Sequence, residues 1–313
     1  MSVTTPLNDE MLRHRLDAAL AQVNGVLLGK PRQVKLAFAC LLAGGHLLLE
    51  DVPGVGKTTL AHALAVTFGL DFQRIQFTSD LLPSDIIGVS VYERETGEFR
   101  FHPGPIFTSL LLADEINRAT PKSQSALLEA MAEDQVTVDG TTHALPKPFF
   151  VVATQNPLDL AGTFPLPDSQ LDRFMLRLSL DYPDPQAERA LLIGEDRRDM
   201  MGHLTPRLDT ASIAALHAAV PGITASGRLL DYLQALLGAS RKHNDVRVGL
   251  SPRAGLALLA AARSWALLSG RDYVIPEDVQ AVFVPAAAHR LVSARGGHRD
   301  AIARAILADT PVP

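Results

Sequence analysis

Between His46 and Phe68 three kinds of segment follow one another. The short apolar run His46-Leu-Leu-Leu-Glu50 has the length and composition of a buried strand. Gly54-Val55-Gly56-Lys57-Thr58-Thr59 then turns the chain, and Thr58 to Phe68 carries a helical pattern. A glycine-bracketed turn between a strand and a helix is the setting of a phosphate-binding loop. Its glycines let backbone N–H groups turn towards phosphate oxygens without a Cβ clash, and the helix N-terminus adds its positive end. The expected nucleotide contacts are Pro53, Gly54, Val55, Gly56, Lys57, Thr58 and Thr59, with Lys57 on the β- and γ-phosphates and Thr58 on Mg2+. The full pattern has glycine where this chain has Asp51. A carboxylate there is tolerable only if it points away from the phosphates.

The flanking segments extend this into an α/β fold. Phe72–Phe77, Ser109–Ala113 and Phe149–Thr154 are short and apolar, and Thr120–Ala132 is helical with Pro121 just inside its start. Strands alternating with helices predict a parallel sheet with helices on its faces. Two segments break the rhythm. Val89–Phe101 alternates about Glu95-Thr96-Gly97, and Val136–His143 contains Asp139-Gly140, a hairpin signal. Past Tyr182-Pro183-Asp184-Pro185 the patterns are helical, with almost no strand signal: Gln186–Asp196, Thr210–Val220, Arg228–His243, a helix opened by Ser251-Pro252 and another by Pro276-Glu277-Asp278. Residues 1–182 are thus expected to form the nucleotide-binding core, and 183–313 an all-helical second domain.

The strand Leu110-Leu-Leu-Ala113 leads into Asp114-Glu115. Two carboxylates at the end of a buried parallel strand suit Mg2+-dependent phosphoryl transfer. Asp114 belongs in the first or second shell of the metal, and Glu115 is placed to orient or deprotonate the attacking water.

With these two motifs the chain resembles an AAA+ ATPase, with a P-loop core and a C-terminal helical lid. Phe77-Thr-Ser-Asp-Leu-Leu-Pro-Ser-Asp85, Gly97-Glu-Phe-Arg-Phe-His-Pro-Gly-Pro105, Asp114-Glu-Ile-Asn-Arg-Ala119 and Ala153-Thr-Gln-Asn-Pro157 look like the MoxR family within it, over about residues 20–300. The resemblance implies that the hairpins are the helix-2 and pre-sensor-1 inserts. It implies that Asn156 is sensor 1, where an amide can bond the γ-phosphate and the water without adding charge. It makes Arg173, in Leu171-Asp-Arg-Phe174, the arginine finger, and Arg253, in Ser251-Pro-Arg253, sensor 2. An arginine in a first helical turn opposes the helix dipole, which suits a nearby anion. Val26-Leu-Leu-Gly29 resembles the adenine-pocket segment. Gln76 holds the strand position from which related ATPases restrain the catalytic glutamate. Arg118 either faces a subunit interface or makes a surface salt bridge.

The resemblance further implies a ring, expected to be a hexamer, with ATP between one subunit and Arg173 of the next. The partners would be a von Willebrand factor A domain protein and a client complex needing assembly or metal insertion. A chelatase-type subunit and a nucleic-acid motor or clamp loader are the alternatives. Charge argues against the last: Lys+Arg total 29 against Asp+Glu 34, a net −5, which gives no global attraction for nucleic acid. The hairpin Val136–His143 has no Lys or Arg, and Arg94 and Arg100 of the other are offset by Glu93, Glu95 and Glu98. Histidines show no metal-ligand spacing. Cys40 is expected as a buried thiol, Trp265 as lid core, and Arg197-Arg198 as part of a solvated mixed-charge face. Met1 to Glu10 has no basic stretch leading into an apolar one. The longest strongly apolar stretch, Leu36–Leu49, falls short of the ~20 residues of a membrane span. A cytoplasmic protein is the expectation.

Overall fold

The computed structural model describes residues 10–157, 162–193 and 197–312. Helices α1 (Glu10–Val26) and α2 (Pro31–Leu42) precede β1 (His46–Glu50) and α3 (Lys57–Thr67). β2 (Phe72–Gln76), α4 (Pro83–Ile87) and a hairpin of β3 (Gly88–Glu93) and β4 (Glu98–Pro103) follow. β5 (Leu110–Asp114), α5 (Pro121–Glu133) and a second hairpin of β6 (Gln135–Val138) and β7 (Thr141–Ala144) lead to β8 (Phe150–Gln155), α6 (Asp168–Leu171) and β9 (Phe174–Leu178). The remainder holds α7 (Pro185–Ile193), α8 (Arg197–Gly202), α9 (Thr210–Ala219), α10 (Gly227–Lys242), β10 (Val246–Val248), α11 (Pro252–Leu268), α12 (Pro276–Ala287), β11 (Val292–Ser293) and α13 (Arg299–Asp309).

The five strands β2-β5-β8-β1-β9 form one parallel sheet in that order. Both faces are covered, which explains why β5 reads as an unbroken apolar run. Leu47, Leu49, Leu110, Leu112, Val152 and Leu176 pack on one side with α1–α3 and the C-terminal helices. Leu48, Leu111, Ala113 and Val151 pack on the other with α5. All five strands point their C-terminal ends at one edge, where ligands bind in open α/β sheets.

Both hairpins are antiparallel. Asp139 (φ 50°) and Gly140 (φ 78°) both sit in the left-handed region, as a two-residue hairpin turn of this hand needs. At the base of the first hairpin a Cβ on Gly88 (φ 98°) would come within 2.3 Å of the His102 carbonyl oxygen, so only glycine lets the strands close there. The hairpins touch through a stacked pair, Phe101 on His143, with ring centroids 3.9 Å apart.

The structure adds to the sequence reading the helices α1, α2, α4, α6, α8 and α13, the strand β9 and the two-stranded ribbon β10–β11. The ribbon pairs Val246 with Ser293 and Val248 with Val292, strands too short and too far apart in the chain to leave a local signal. The C-terminal part is therefore helical but carries a small sheet. Residues 194–196 of the stretch Gln186–Asp196, and residues 1–9, lie outside the described residues, as do the side chains of Arg197 and Arg198.

Cys40 is buried, and burial pushes its thiol well up. Trp265 is half-buried under the Lys35 ammonium, 4.4 Å from its ring centroid, and so packs the C-terminal helices onto α2. No helix among the described residues is long and apolar enough to cross a membrane.

Candidate functional site

The loop between β1 and α3 has the conformation its glycines permit. Gly54 (φ 85°) and Gly56 (φ 104°) lie in the left-handed region, strained for any side chain with a Cβ. Gly56 ends the loop as the N-cap of α3, and no side chain caps the helix. The first-turn N–H groups are therefore left to serve a ligand. The Lys57 ammonium donates to the backbone carbonyls of Asp51 (2.5 Å) and Val52 (3.1 Å). Burial pulls Lys57 below the ordinary lysine range, against the pull of Asp51, Asp114 and Glu115.

Asp51 turns away from the loop interior. One carboxylate oxygen accepts the Val52 N–H at 2.8 Å. The other accepts the N–H groups of Leu180 and Asp181, each at 2.7 Å, and the Ser179 hydroxyl at 3.0 Å. A carboxylate only 7 % exposed is thus spent on tying the start of the loop to the segment after β9. That satisfies the condition the sequence set for an acidic residue here.

The acidic pair emerges at the end of β5. Asp114 is buried; one oxygen accepts the Thr154 hydroxyl (2.5 Å) and the other the Arg74 guanidinium (2.5 Å). Glu115 takes a left-handed conformation (φ 57°, ψ 48°), its N–H donating to Thr154 Oγ1 at 2.9 Å. Non-glycine residues held in this region concentrate at functional sites. The bend turns the Glu115 side chain to the open edge of the sheet. There its Oε2 accepts the Gln76 amide at 2.9 Å and meets Arg118 Nε at 3.1 Å. Of the two readings of Arg118, the structure contains the salt bridge.

These groups line one cleft of about 280 Å3. It brings together Pro53, Gly54, Gly56, Lys57, Thr58 and Thr59 from the loop, Asp114 and Glu115 from β5, and Asn156 from just past β8. Val55 instead packs into the core. Gly29 lies elsewhere, where a Cβ would come within 2.8 Å of Ala187 Cβ. Arg173 and Arg253 stand outside the cleft. Arg173 Nη1 donates to the Leu128 carbonyl on α5 at 2.9 Å, and Arg253 is exposed on the first turn of α11.

The donor set fits Mg2+. A threonine hydroxyl and a carboxylate are hard oxygen ligands, and Mg2+ is held by one or two carboxylates with substrate phosphates and water rather than by an all-protein cage. Among the described residues no group of three or more His, Cys, Asp or Glu could hold a metal unaided. Thr58 and Asp114, which the cleft brings together, carry oxygens of this kind.

Sequence reasoning missed Arg74 and Thr154. Thr154 was read as part of a strand, yet its hydroxyl joins Asp114 to the Glu115 backbone. Arg74 lies two residues before Gln76 on the same face of β2, a signal that was present but points nowhere until β2 is known to border β5.

Comparison with known proteins agrees with this geometry. The profile of the ATPase family associated with various cellular activities (AAA) matches residues 46–176, and that of the AAA lid domain matches 238–309. The uncharacterized protein YeaC of Bacillus subtilis is 45% identical, over 97% of each chain. Chaperone MoxR1 of Mycobacterium tuberculosis is 42% identical, over 89% of this chain and 76% of its own. A crystal structure of a candidate ATPase from Cytophaga hutchinsonii superposes with a TM-score of 0.86 at 35% identity, covering 96% of both chains.

Proposed function

This chain belongs to the MoxR family of AAA ATPases and hydrolyses ATP, and from that premise we propose that it works as a ring, a hexamer, that remodels or matures protein complexes. In this reading residues 1–182 are the nucleotide-binding core and 183–313 the lid. Lys57 and the N–H groups opening α3 bind the β- and γ-phosphates, with Val26–Gly29 against the adenine. Mg2+, held by Thr58 and Asp114, supplies charge neutralisation on the phosphates when bound. Glu115 takes a proton from the attacking water as its oxygen bonds the γ-phosphorus and the bond to the β–γ bridging oxygen breaks. Asn156 donates to the γ-phosphate. Arg173 enters the neighbouring subunit's site, where such an arginine contributes about 10³–10⁵ in rate, and Arg253 also serves the γ-phosphate.

The observation that carries the chemistry is the single cleft joining the glycine loop, Asp114, Glu115 and Asn156. The remodelling role is supported by the relative named as a chaperone. A partner with a von Willebrand factor A domain and a cytoplasmic location complete the proposal.

The test is a trap. Glu115→Gln retains ATP without turnover; loaded in a lysate of its own source, it should retain an A-domain protein. Porphyrin-pathway enzymes in the eluate would move the reading to a chelatase subunit. Nuclease-sensitive nucleic acid without a protein partner would move it to a motor.

A further inference from the structure

Arg290, in the turn that follows α12, is 8 % exposed, and all five of its N–H donors are used. Nε donates to Asp172 Oδ1 at 2.7 Å. Nη2 donates to the backbone carbonyls of Asp172 (3.1 Å) and Phe174 (2.8 Å). Nη1 donates to the carbonyls of Met175 (2.9 Å) and of Ala286 near the end of α12. The residue skipped in this series is Arg173. Two further contacts grip the same segment from the same side. The His289 ring pairs with the Phe174 carbonyl through Nε2 at 2.9 Å. Arg299, opening α13, donates to Asp168 at the head of α6 at 2.8 Å and to the His289 carbonyl at 3.1 Å.

We propose that Arg290 and Arg299 are positioning residues for Arg173, so that the C-terminal helices of a subunit set the guanidinium it presents to its neighbour. The proposal rests on the reading of Arg173 as an arginine acting in trans. Its physical basis is the backbone. Carbonyls on both sides of residue 173 are bound to one buried guanidinium, and the Arg173 N–H donates to the Gln170 carbonyl at 3.2 Å. The direction of its Cα–Cβ bond is then fixed by Arg290 rather than by the side chain's single bond to Leu128. Packing alone does not need this arrangement, because apolar residues of similar volume hold two layers together as well as a buried charge does. A guanidinium reads carbonyl positions in a fixed fork, which greasy contacts cannot do. Movement of α12 and α13 against the sheet would therefore be delivered to the next subunit's site as a movement of Arg173.

The test uses full-length chains. Arg299→Ala removes a half-exposed side chain, and Arg290→Met removes the fork; the first keeps the test available if the second fails to fold. Each should lower kcat by about 10- to 100-fold, the range for misplacing a catalytic group by an ångström, with KM for ATP nearly unchanged. Each is then mixed with Lys57→Ala, whose own site is dead but whose Arg173 and C-terminal helices are intact. Turnover should recover, because Lys57→Ala subunits lend a correctly held Arg173. Arg173→Ala mixed with Lys57→Ala runs in parallel. If that control recovers and the Arg299 and Arg290 variants do not, the clamp serves only its own subunit and the inference fails. If the control does not recover, the trans reading of Arg173 fails and takes the inference with it. Wild-type kcat in Arg299→Ala would also overturn it.

Discussion

The Gln76 side-chain amide donates to Glu115 Oε2 at 2.9 Å, across the boundary between β2 and the end of β5. Arg118 Nε approaches the same oxygen at 3.1 Å. Glu115 is thus held from two sides, and Gln76 is itself bonded through Oε1 to Arg74. Four residues, Phe77 to Asp80, follow it before Leu81, whose carbonyl is tied to Ser123 of α5. Beyond that anchor the chain leads on to α4 and the first hairpin.

Gln76→Ala should therefore release Glu115 and raise basal turnover. A hydrogen bond to a charged acceptor contributes about 1.5 kcal/mol at the lower end of its range, which corresponds to a rise of about tenfold. Steady-state phosphate release measures it. Turnover equal to or below wild type would show that the bond does not restrain the carboxylate.

Arg74 sets a second expectation. Its guanidinium binds Asp114, the carboxylate proposed to hold Mg2+, and the pair is about half open to solvent on the arginine side. Arg74→Met removes a positive charge beside the ion. The Mg2+ concentration giving half-maximal tightening of ADP binding should fall by about fivefold, the ~1 kcal/mol of a partly exposed pair. Fluorescent-nucleotide titrations at graded Mg2+ provide the readout, and an unchanged midpoint would count against the effect.

Lys57→Ala and Glu115→Gln should separate binding from chemistry. The first removes the cation on the phosphates, and nucleotide affinity should be lost. The second keeps shape and hydrogen bonding but cannot accept a proton, so ADP and ATP affinity should stay near wild type while kcat falls about 10²–10⁴-fold. Isothermal titration with parallel turnover assays distinguishes them, and full activity in Glu115→Gln would remove that residue from the chemistry.

Much of this site was legible because its parts are local. Strand, glycine turn and helix at 46–68 lie within one stretch, as do the Asp139-Gly140 turn and the acidic end of β5. What stayed hidden depends on neighbours distant in the chain. Phe174-Met-Leu-Arg-Leu178 becomes a strand by pairing with β1. Arg74 faces Leu112 in register and reaches Asp114 diagonally, a contact that exists only once β2 and β5 are adjacent. The carboxylate of Asp51 finds its partners about 130 positions on. The sequence showed that it had to turn away, and only the folded chain shows what it turns to.

Asp51 gives a prediction of its own. Glycine at this position would match the usual loop pattern, but Asp51→Gly would strand the N–H groups of Leu180 and Asp181. Leu180 is buried and Asp181 exposed, so the roughly 1–3 kcal/mol for a donor left unmet in a buried place falls on Leu180, and a loss of about 2 kcal/mol in stability is expected. The Lys57 bond to the residue-51 carbonyl is retained, so nucleotide affinity should change little. Thermal melts with and without ADP test both halves. A gain in stability would show that the carboxylate is a burden rather than a staple.

His46 links the core to pH. The imidazole is buried, its Nδ1 accepting the Val151 N–H at 3.1 Å and its Nε2 paired with the Met131 carbonyl at 3.1 Å. Burial lowers its pKa to about 4, with Met131 and Asp134 only partly offsetting. The unfolded imidazole, near its ordinary 6.5, takes up a proton first as pH falls. The contribution of neutral His46 is therefore complete above about pH 6.5 and is lost progressively between 6.5 and 4, at about 1.4 kcal/mol per pH unit and about 3 kcal/mol in all. His289, buried beside Arg290 and lowered for the same reason, shifts stability in the same direction. Urea unfolding of wild type and His46→Gln at pH 7, 6 and 5 isolates the first group: the difference between the two proteins should shrink as pH falls. A constant difference would mean that the His46 pKa is the same in the folded and unfolded chain, so that burial does not lower it.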